Sequence, residues 1–396
     1  MRILLGADQY PEYINGAATF TARLAEGLAA RGHTVDLVWP SVDGRPHYDI
    51  DGGVRVHRVS SLRLPTGAEI RTSTPWTVSR EVRAVLGLAR PDVVHVQSHF
   101  ALGRSLVRAA RTSRLPVLAT NHFMPENLTH HVPLLRHASA AAARAAWVDL
   151  ARVYRWADAL TAPTQRAVDL LAATTDLPAA TVISCGIDLD RFRPADPAAV
   201  APATLLFVGR LEQEKHVDDL LRAFARVPAE LGARLEVIGM GSLRAELEGL
   251  TAHLGLGDRV TFRGAVSDAD LLTAYQQATV FVMPGTAELQ SLATLEAMAA
   301  GRPVVAADAM ALPHLVADGH NGHLVRPGDL QGLADALTAL LADPALRARM
   351  GAASLVKARR HELSSTLDAF EACYRRLLGR PVETSPVPAD ALLLAS

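Results

Sequence analysis

The run TVFVMPGTAELQSLATLEAMAAGRPVVAAD, residues 279–308, reads as strand, loop, helix and strand. TVFVMP and PVVAAD are short apolar runs of buried-strand type, and Ser291 stands where it can cap the helix between them. Two strands joined by a crossover helix pair in parallel, so this unit decides the fold class. It also poses a problem. Glu296 lies inside LEAMAAG, where nearly every neighbour is small or apolar, and Glu288 lies just ahead of the cap. An ionised carboxylate buried without a partner costs several kcal/mol, so Glu296 must reach solvent or hold a partner. Its place in the second turn puts it close to a cleft rather than deep in a core.

The same alternation extends outward in both directions. Strands are expected at TLLFVG, RLEVIG and RVTFRG before this unit, with helices between them. The first half repeats the pattern: strands at RILLGA, TVDLVW, VRVHRV, DVVHVQS, PVLATN and ALTAPT, and helices over AATFTARLAEGLAARGH and near 77–89, 102–113 and 134–157. Between the halves, SCGIDLDRFRPADPAAVAPA has no periodicity. The reading is α/β with two doubly wound domains facing across a cleft, over residues 1–187 and 203–363, joined by a linker at 188–202. The helical segments near the C-terminus carry no strands, and a helix over 364–380 is expected to cross back onto the first domain. Residues 381–396 read as a disordered tail.

The 396 residues, 49% of them hydrophobic, suffice for two such cores. A net charge of −1 supplies no global field for nucleic acid, which is not expected as a partner. Two cysteines, Cys185 and Cys373, make neither a disulfide framework nor a metal-ligand spacing. With no signal-peptide pattern in MRILLGADQYP, and no stretch near the roughly 18 to 20 apolar residues of a membrane span, the expected location is the cytoplasm, at most peripheral to a membrane.

Ligands of open parallel sheets bind beyond the carboxyl ends of the strands. TLLFVG ends in Gly209, with Arg210 next and Lys215 five residues later, just before a helix. Two cations there suit a diphosphate; the alternative is a solvated loop whose charges pair with Glu212 and Glu214. Gly239 and Gly241 permit close backbone approach after RLEVIG, but Arg244 stands where a dinucleotide fingerprint has its third glycine. No phosphate loop of the GxxxxGK[ST] kind is present, so hydride transfer and P-loop chemistry lack support. Glu288, helix amides near Thr294 and Glu296 follow in an order that matches the sugar, diphosphate and ribose of a nucleotide sugar.

The spacing from Glu288 to Glu296, followed by AMAAGRPVVA, resembles the E-x7-E signature of retaining glycosyltransferases of family 4, whose GT-B architecture pairs two Rossmann-like domains. The resemblance runs from YINGAATFTARLAEGLAARGHTV through PDVVHVQSH, CGIDLDRF and FVGRLEQEK to HNGHLVRPGD. It implies a nucleotide-sugar donor carrying glucose or mannose, with UDP-glucose and GDP-mannose as candidates, and no metal or other cofactor. Arg210 and Lys215 would bind the diphosphate beside Gly209, Gly239 and the helix start at Leu292 and Thr294. Glu288 would hold the sugar, Glu296 the ribose and the segment around Val266 the base, while Gly16 approaches the phosphate and His122 the transferring sugar. Arg210, Lys215, Glu288 and His122 are therefore the catalytic candidates. The sequence departs from the family at Gln290-Ser291, where Phe-Gly is usual, and at Asn15-Gly16-Ala17, where Gly-Gly is usual; both leave donor identity open.

ELQSLATLEA and ATNHFMPEN resemble the family's lipid-glycosylating branch. Arg104, Arg108 and Arg111 fall on one helix face, and Arg144, Arg152 and Arg155 recur beside Trp147 and Trp156. Such faces could dock on an anionic membrane surface, or they are plain solvated faces. The acceptor is thus a glycolipid, or a soluble carbohydrate or small molecule. An epimerase or phosphorylase on the same fold, and an inactive binding subunit, are the rival readings. Histidines at 95, 99, 122, 130 and 131 lack the converging ligands of a metal site, and His95 and His99 are expected at the rim of the first sheet. The D-x-D pairs at 49–51, 188–190 and 268–270 are read as a turn, the linker and a helix N-terminus.

Overall fold

A computed structural model of the chain describes residues 1–8, 16–63, 71–125, 139–194 and 203–381. Residues 195–202 of the expected linker, the tail beyond 381, and Asn15, His130 and His131 lie outside the described residues.

The first sheet contains β1 (Arg2–Gly6), β2 (Thr34–Pro40), β3 (His47–Asp51), β4 (Val54–Val59), β7 (Val93–Val96), β8 (Val117–Thr120), β9 (Ala159–Ala162) and β10 (Thr181–Val182). Their order is β10-β9-β8-β7-β1-β2-β4-β3, parallel except for the antiparallel edge strand β3. A hairpin of β5 (Ser61–Arg63) and β6 (Arg71–Ser73) forms a separate two-stranded sheet. The second sheet, β11 (Thr204–Val208), β12 (Arg234–Ile238), β13 (Val260–Gly264), β14 (Val280–Met283), β15 (Val304–Ala307) and β16 (Gly322–Val325), is parallel throughout in the order β13-β12-β11-β14-β15-β16. Helices α1 (Gly16–Ala30), α2 (Val78–Ala89), α3 (Ala101–Thr112), α4 (Ser139–Tyr154) and α5 (Gln165–Thr174) fall within the first half. The second half has α6 (Val217–Phe224), α7 (Arg244–His253), α8 (Asp268–Gln277), α9 (Leu292–Ala299), α10 (Leu312–Leu315), α11 (Leu330–Ala342) and α12 (Pro344–Ala358), and α13 (Leu363–Leu377) follows.

Strands such as β14 and β15 are buried at every residue, which is why their sequences are unbroken apolar runs. Helix α9 between them is buried at all but one of its eight residues and starts where Ser291 Oγ accepts the Thr294 amide. It ends at Gly301, whose φ of +72° only glycine adopts without strain. In both sheets the chain first builds outward on one side and then returns to the other. The strand order therefore reverses between β1 and β7 and between β11 and β14, and crevices open at these two points.

Helix α13 crosses back onto α1 as expected. Arg31 reaches Asp368 at 2.6 Å and Glu371 at 3.3 Å, and His33 lies 3.2 Å from Glu371. The buried Tyr374 hydroxyl meets His95 Nδ1 at 2.7 Å. His95 and His99 are thus not at the rim: they are 0% and 1% exposed. His99 packs against Phe100, Phe123 and Tyr154.

Burial pulls the pKa of His95 down to about 3 and that of His99 to about 4. Unfolded rings bind protons below about pH 6.5, whereas the folded rings do not until those lower values. Stability is therefore full above about pH 6.5 and is lost as pH falls towards 4, by up to ~1.4 kcal/mol per pH unit for each ring. Thermal unfolding should show a Tm several degrees lower at pH 5 than at pH 7, with a shallower acid loss in His99→Phe. Equal Tm values at the two pH values would contradict this burial.

Candidate active site

The second sheet supplies one wall at its reversal point. Gly209 and Arg210 follow β11, and Gly239 follows β12 with φ of +137°. A Cβ on Gly239 would come within 1.8 Å of the Gly209 carbonyl oxygen, so the close approach expected here is between the two loops themselves. Arg210 Nη2 donates to Glu214 Oε1 at 2.7 Å. Glu212 instead accepts from the amide and hydroxyl of Ser242, at 2.9 and 2.7 Å. Lys215 Nζ is ion-paired with Glu288, which arrives from the loop after β14. Both side chains are mostly buried. The alternative pairing with neighbouring acids thus holds for Arg210 but not for Lys215. Val266, half-buried beyond β13, packs on the core.

At the start of α9, Leu292 is 8% and Thr294 0% exposed. The Thr294 amide, expected to be open to a ligand, is taken by Ser291 Oγ at 3.4 Å. The amides of Leu292 and Ala293 remain as the first-turn donors. Glu296 is deeper than expected, at 6% exposure, and holds two partners. Arg23 Nη2 donates to its Oε1 at 2.6 Å and the Tyr275 hydroxyl to its Oε2 at 2.8 Å.

The first-sheet wall is organised by α1. A Cβ added to Gly16 would lie 3.7 Å from Leu292 Cδ1, so α1 begins against the start of α9. One turn on, the Phe20 ring lies 5.1 Å from that of His122, and Arg23 follows on Glu296. His122, beyond β8, contacts Gln97 Oε1 through Nε2 at 2.9 Å, and burial lowers its pKa to about 4, so the ring is neutral near pH 7. Gln97 Nε2 lies 3.1 Å from His95 Nε2, which links His122 through His95 to Tyr374 on α13. The seam is closed by Thr164, which donates to the Leu289 carbonyl at 2.9 Å, and by Gln290. Gln290 Oε1 accepts from the Cys185 amide at 2.7 Å and its Nε2 donates to Ser184 Oγ at 2.9 Å. The unusual Gln290 side chain therefore binds the crossover segment near β10. Sequence reasoning did not find Arg23, Gln97, Thr164 or Tyr275; their partners lie between 21 and 273 residues away.

The arginine face of α3 is partly paired. Arg104 pairs with Asp149 at 2.6 Å and Arg111 with Asp158 at 3.8 Å, so two of the three charges on α3 are compensated, while Arg108 is exposed. Trp147 is 5% exposed and belongs to the core, whereas Trp156 is half exposed beneath Arg111. Asp49 and Asp51 lie on the exposed strand β3 rather than in a turn, and Asp268 and Asp270 fall in the first turn of α8. Among the described residues no group of three or more His, Cys, Asp or Glu side chains is disposed to hold a metal ion, and no helix is long and apolar enough to cross a membrane.

Residues 14–191 match the family Glycosyltransferase Family 4, and residues 190–355 the family Glycosyl transferases group 1. A GDP-mannose-dependent alpha-mannosyltransferase of Mycolicibacterium smegmatis is 32% identical over 401 residues, covering 96% of this chain and 98% of the relative. A D-inositol 3-phosphate glycosyltransferase of Streptomyces scabiei is also 32% identical, over 87% of this chain and 82% of its own length. The solved sucrose-phosphate synthase of Thermosynechococcus elongatus shares the fold with a TM-score of 0.77 at 22% identity, covering 96% of this chain and 100% of that one. With this identity carried along nearly the whole chain, and two Rossmann-like sheets meeting at a shared crevice, the chain belongs to glycosyltransferase family 4 and is a hexosyltransferase of GT-B fold.

Proposed function

We propose that the protein transfers mannose from GDP-mannose to a hydroxyl of a carbohydrate or polyol, with retention of the α configuration and without a metal ion. The observation that carries this reading is the group at the β11/β14 reversal: Arg210 and Lys215, each held by a carboxylate, flank the place where a diphosphate would lie. The mannosyltransferase and inositol-phosphate relatives support the choice of donor and of a polyhydroxy acceptor.

Charge builds on the departing diphosphate in the transition state, and fixed cations and helix amides stabilise it without rearranging. Lys215 has three donors, so it can keep Glu288 and still reach a phosphate oxygen. Glu288, oriented by that pair, is placed to accept from a sugar hydroxyl. His122, neutral and fixed through Gln97, offers a hydrogen bond without adding charge. A glycolipid headgroup is the second reading for the acceptor, favoured by exposed Arg108 and by Trp156 under Arg111.

Lys215→Ala should lower turnover about 10² to 10³-fold with an unchanged circular dichroism spectrum. A wild-type rate in that variant would remove Lys215 from the mechanism. In a thermal-shift panel, GDP and GDP-mannose at about 100 times their Kd should stabilise by about 2.7 kcal/mol, with UDP-glucose well behind at the same concentrations. Turnover should persist in EDTA and give an α-linked product by NMR; a β product, or loss of activity restored by Mg²⁺, would overturn the reading. For the second acceptor reading, co-sedimentation with anionic vesicles at low salt, released as screening tightens to about 8 Å at 0.15 M, would favour a glycolipid. Absence of binding at low salt would exclude that membrane surface.

A further inference from the structure

The proposed reaction asks nothing of Arg23, yet this residue makes a charged contact across the seam. It lies on α1, beside the first sheet, and its guanidinium reaches Glu296 on α9, beside the second. Arg23 is 14% and Glu296 7% exposed at the side chain. Tyr275, fully buried on α8, donates to the other carboxylate oxygen, and burial next to Glu296 holds its hydroxyl protonated far above neutral pH. The guanidinium carbon sits 5.6 Å from the centre of the Phe192 ring, which limits how the group can turn. Its Nη1 is buried with no hydrogen-bond partner.

A carboxylate offers about four lone-pair sites, two on each oxygen. Arg23 uses one on Oε1 and Tyr275 one on Oε2, so one site remains on each oxygen. Two adjacent acceptor sites fixed from both sides suit a vicinal pair of hydroxyls.

We infer that Arg23 is a positioning residue for the nucleotide's ribose, locking Glu296 from the opposite domain so that its two remaining acceptor sites face the 2′- and 3′-hydroxyls. The inference rests on the reading of Glu296 as the ribose acceptor. It makes the ribose subsite a joint product of both domains: the second domain alone presents Glu296 with one partner instead of two. Discrimination between ribose and 2′-deoxyribose then depends on a residue of the first domain.

Titration calorimetry of the full chain with GDP and with 2′-deoxy-GDP tests this, using the wild type, Arg23→Met and Arg23→Lys. The wild type should favour GDP by about tenfold or more, the scale of a lost charged hydrogen bond. In Arg23→Met, which keeps much of the buried stem, both nucleotides should still bind through the diphosphate, and their ratio should fall to within about twofold. Arg23→Lys should restore most of the preference, which a merely packing role would not require. Should Arg23→Met fail to fold, Arg23→Gln carries the test, because it removes the fixed charge from Glu296 while keeping a polar side chain, and it should also narrow the ratio. A wild-type ratio in folded Arg23→Met, or in Arg23→Gln where that variant carries the test, overturns the inference. Absence of discrimination in the wild type itself, with Lys215→Ala still slowed about 10² to 10³-fold, would instead refute the role given to Glu296 and leave the diphosphate site standing.

Discussion

Glu296 cannot stand alone. An ionised carboxylate at 7% exposure in an apolar helix is tolerable only with a fixed positive charge and a further donor, and Arg23 and Tyr275 provide them from two different elements. Removing one partner of such a buried pair typically costs about 3 to 5 kcal/mol, because the remaining charge is left uncompensated. The need is met only when α1 lies against α9, so this one pair fixes the distance between the two sheets at the crevice. Gly16 against Leu292 and Phe20 against His122 follow from the same placement of α1.

The other contacts across the seam reinforce that geometry rather than set it. Thr164 and Gln290 bind backbone atoms and a hydroxyl, neutral hydrogen bonds of modest net worth. Helix α13 braces the far side of α1 through Arg31, His33 and the buried Tyr374. Because Tyr374 reaches His95 and His95 lies beside Gln97, the brace also touches the side chain that holds His122. Arg23 apart, the first domain thus presents a set of neutral, mutually oriented rings and amides, while the second presents the charged groups. That division suits a reaction in which charge accumulates on the departing diphosphate and the sugar needs orientation more than charge.

The fold was legible because parallel strands are buried on both faces and spell themselves out as apolar runs, β14 and β15 above all. Strands that lack such a core went unseen: β3 is exposed at every residue, β5 and β6 have three residues each, and β10 has two. Residue types at strand ends exposed Arg210, Lys215 and Glu288, since charged side chains there have few structural uses. Their pairing was not legible. The bond between Lys215 and Glu288 spans 73 residues and that between Arg23 and Glu296 spans 273, and no local pattern encodes either. Arg23 in particular sits among the polar positions of an ordinary amphipathic helix, so only the packing of α1 on α9 gives it meaning. The partners of the arginine stripe on α3 were equally illegible, because Asp149 and Asp158 come from later segments of the chain.

On the proposed function, a donor nucleotide is held in the crevice by groups of both domains, with Glu296 still clamped by Arg23. A crystal structure of the full chain with GDP tests it most directly. The diphosphate should lie between Arg210 and Lys215, and the ribose diol on Glu296 with Arg23 Nη2 still within hydrogen-bond distance of the carboxylate. A diphosphate bound elsewhere, or an Arg23 displaced from Glu296 by the ribose, would contradict it.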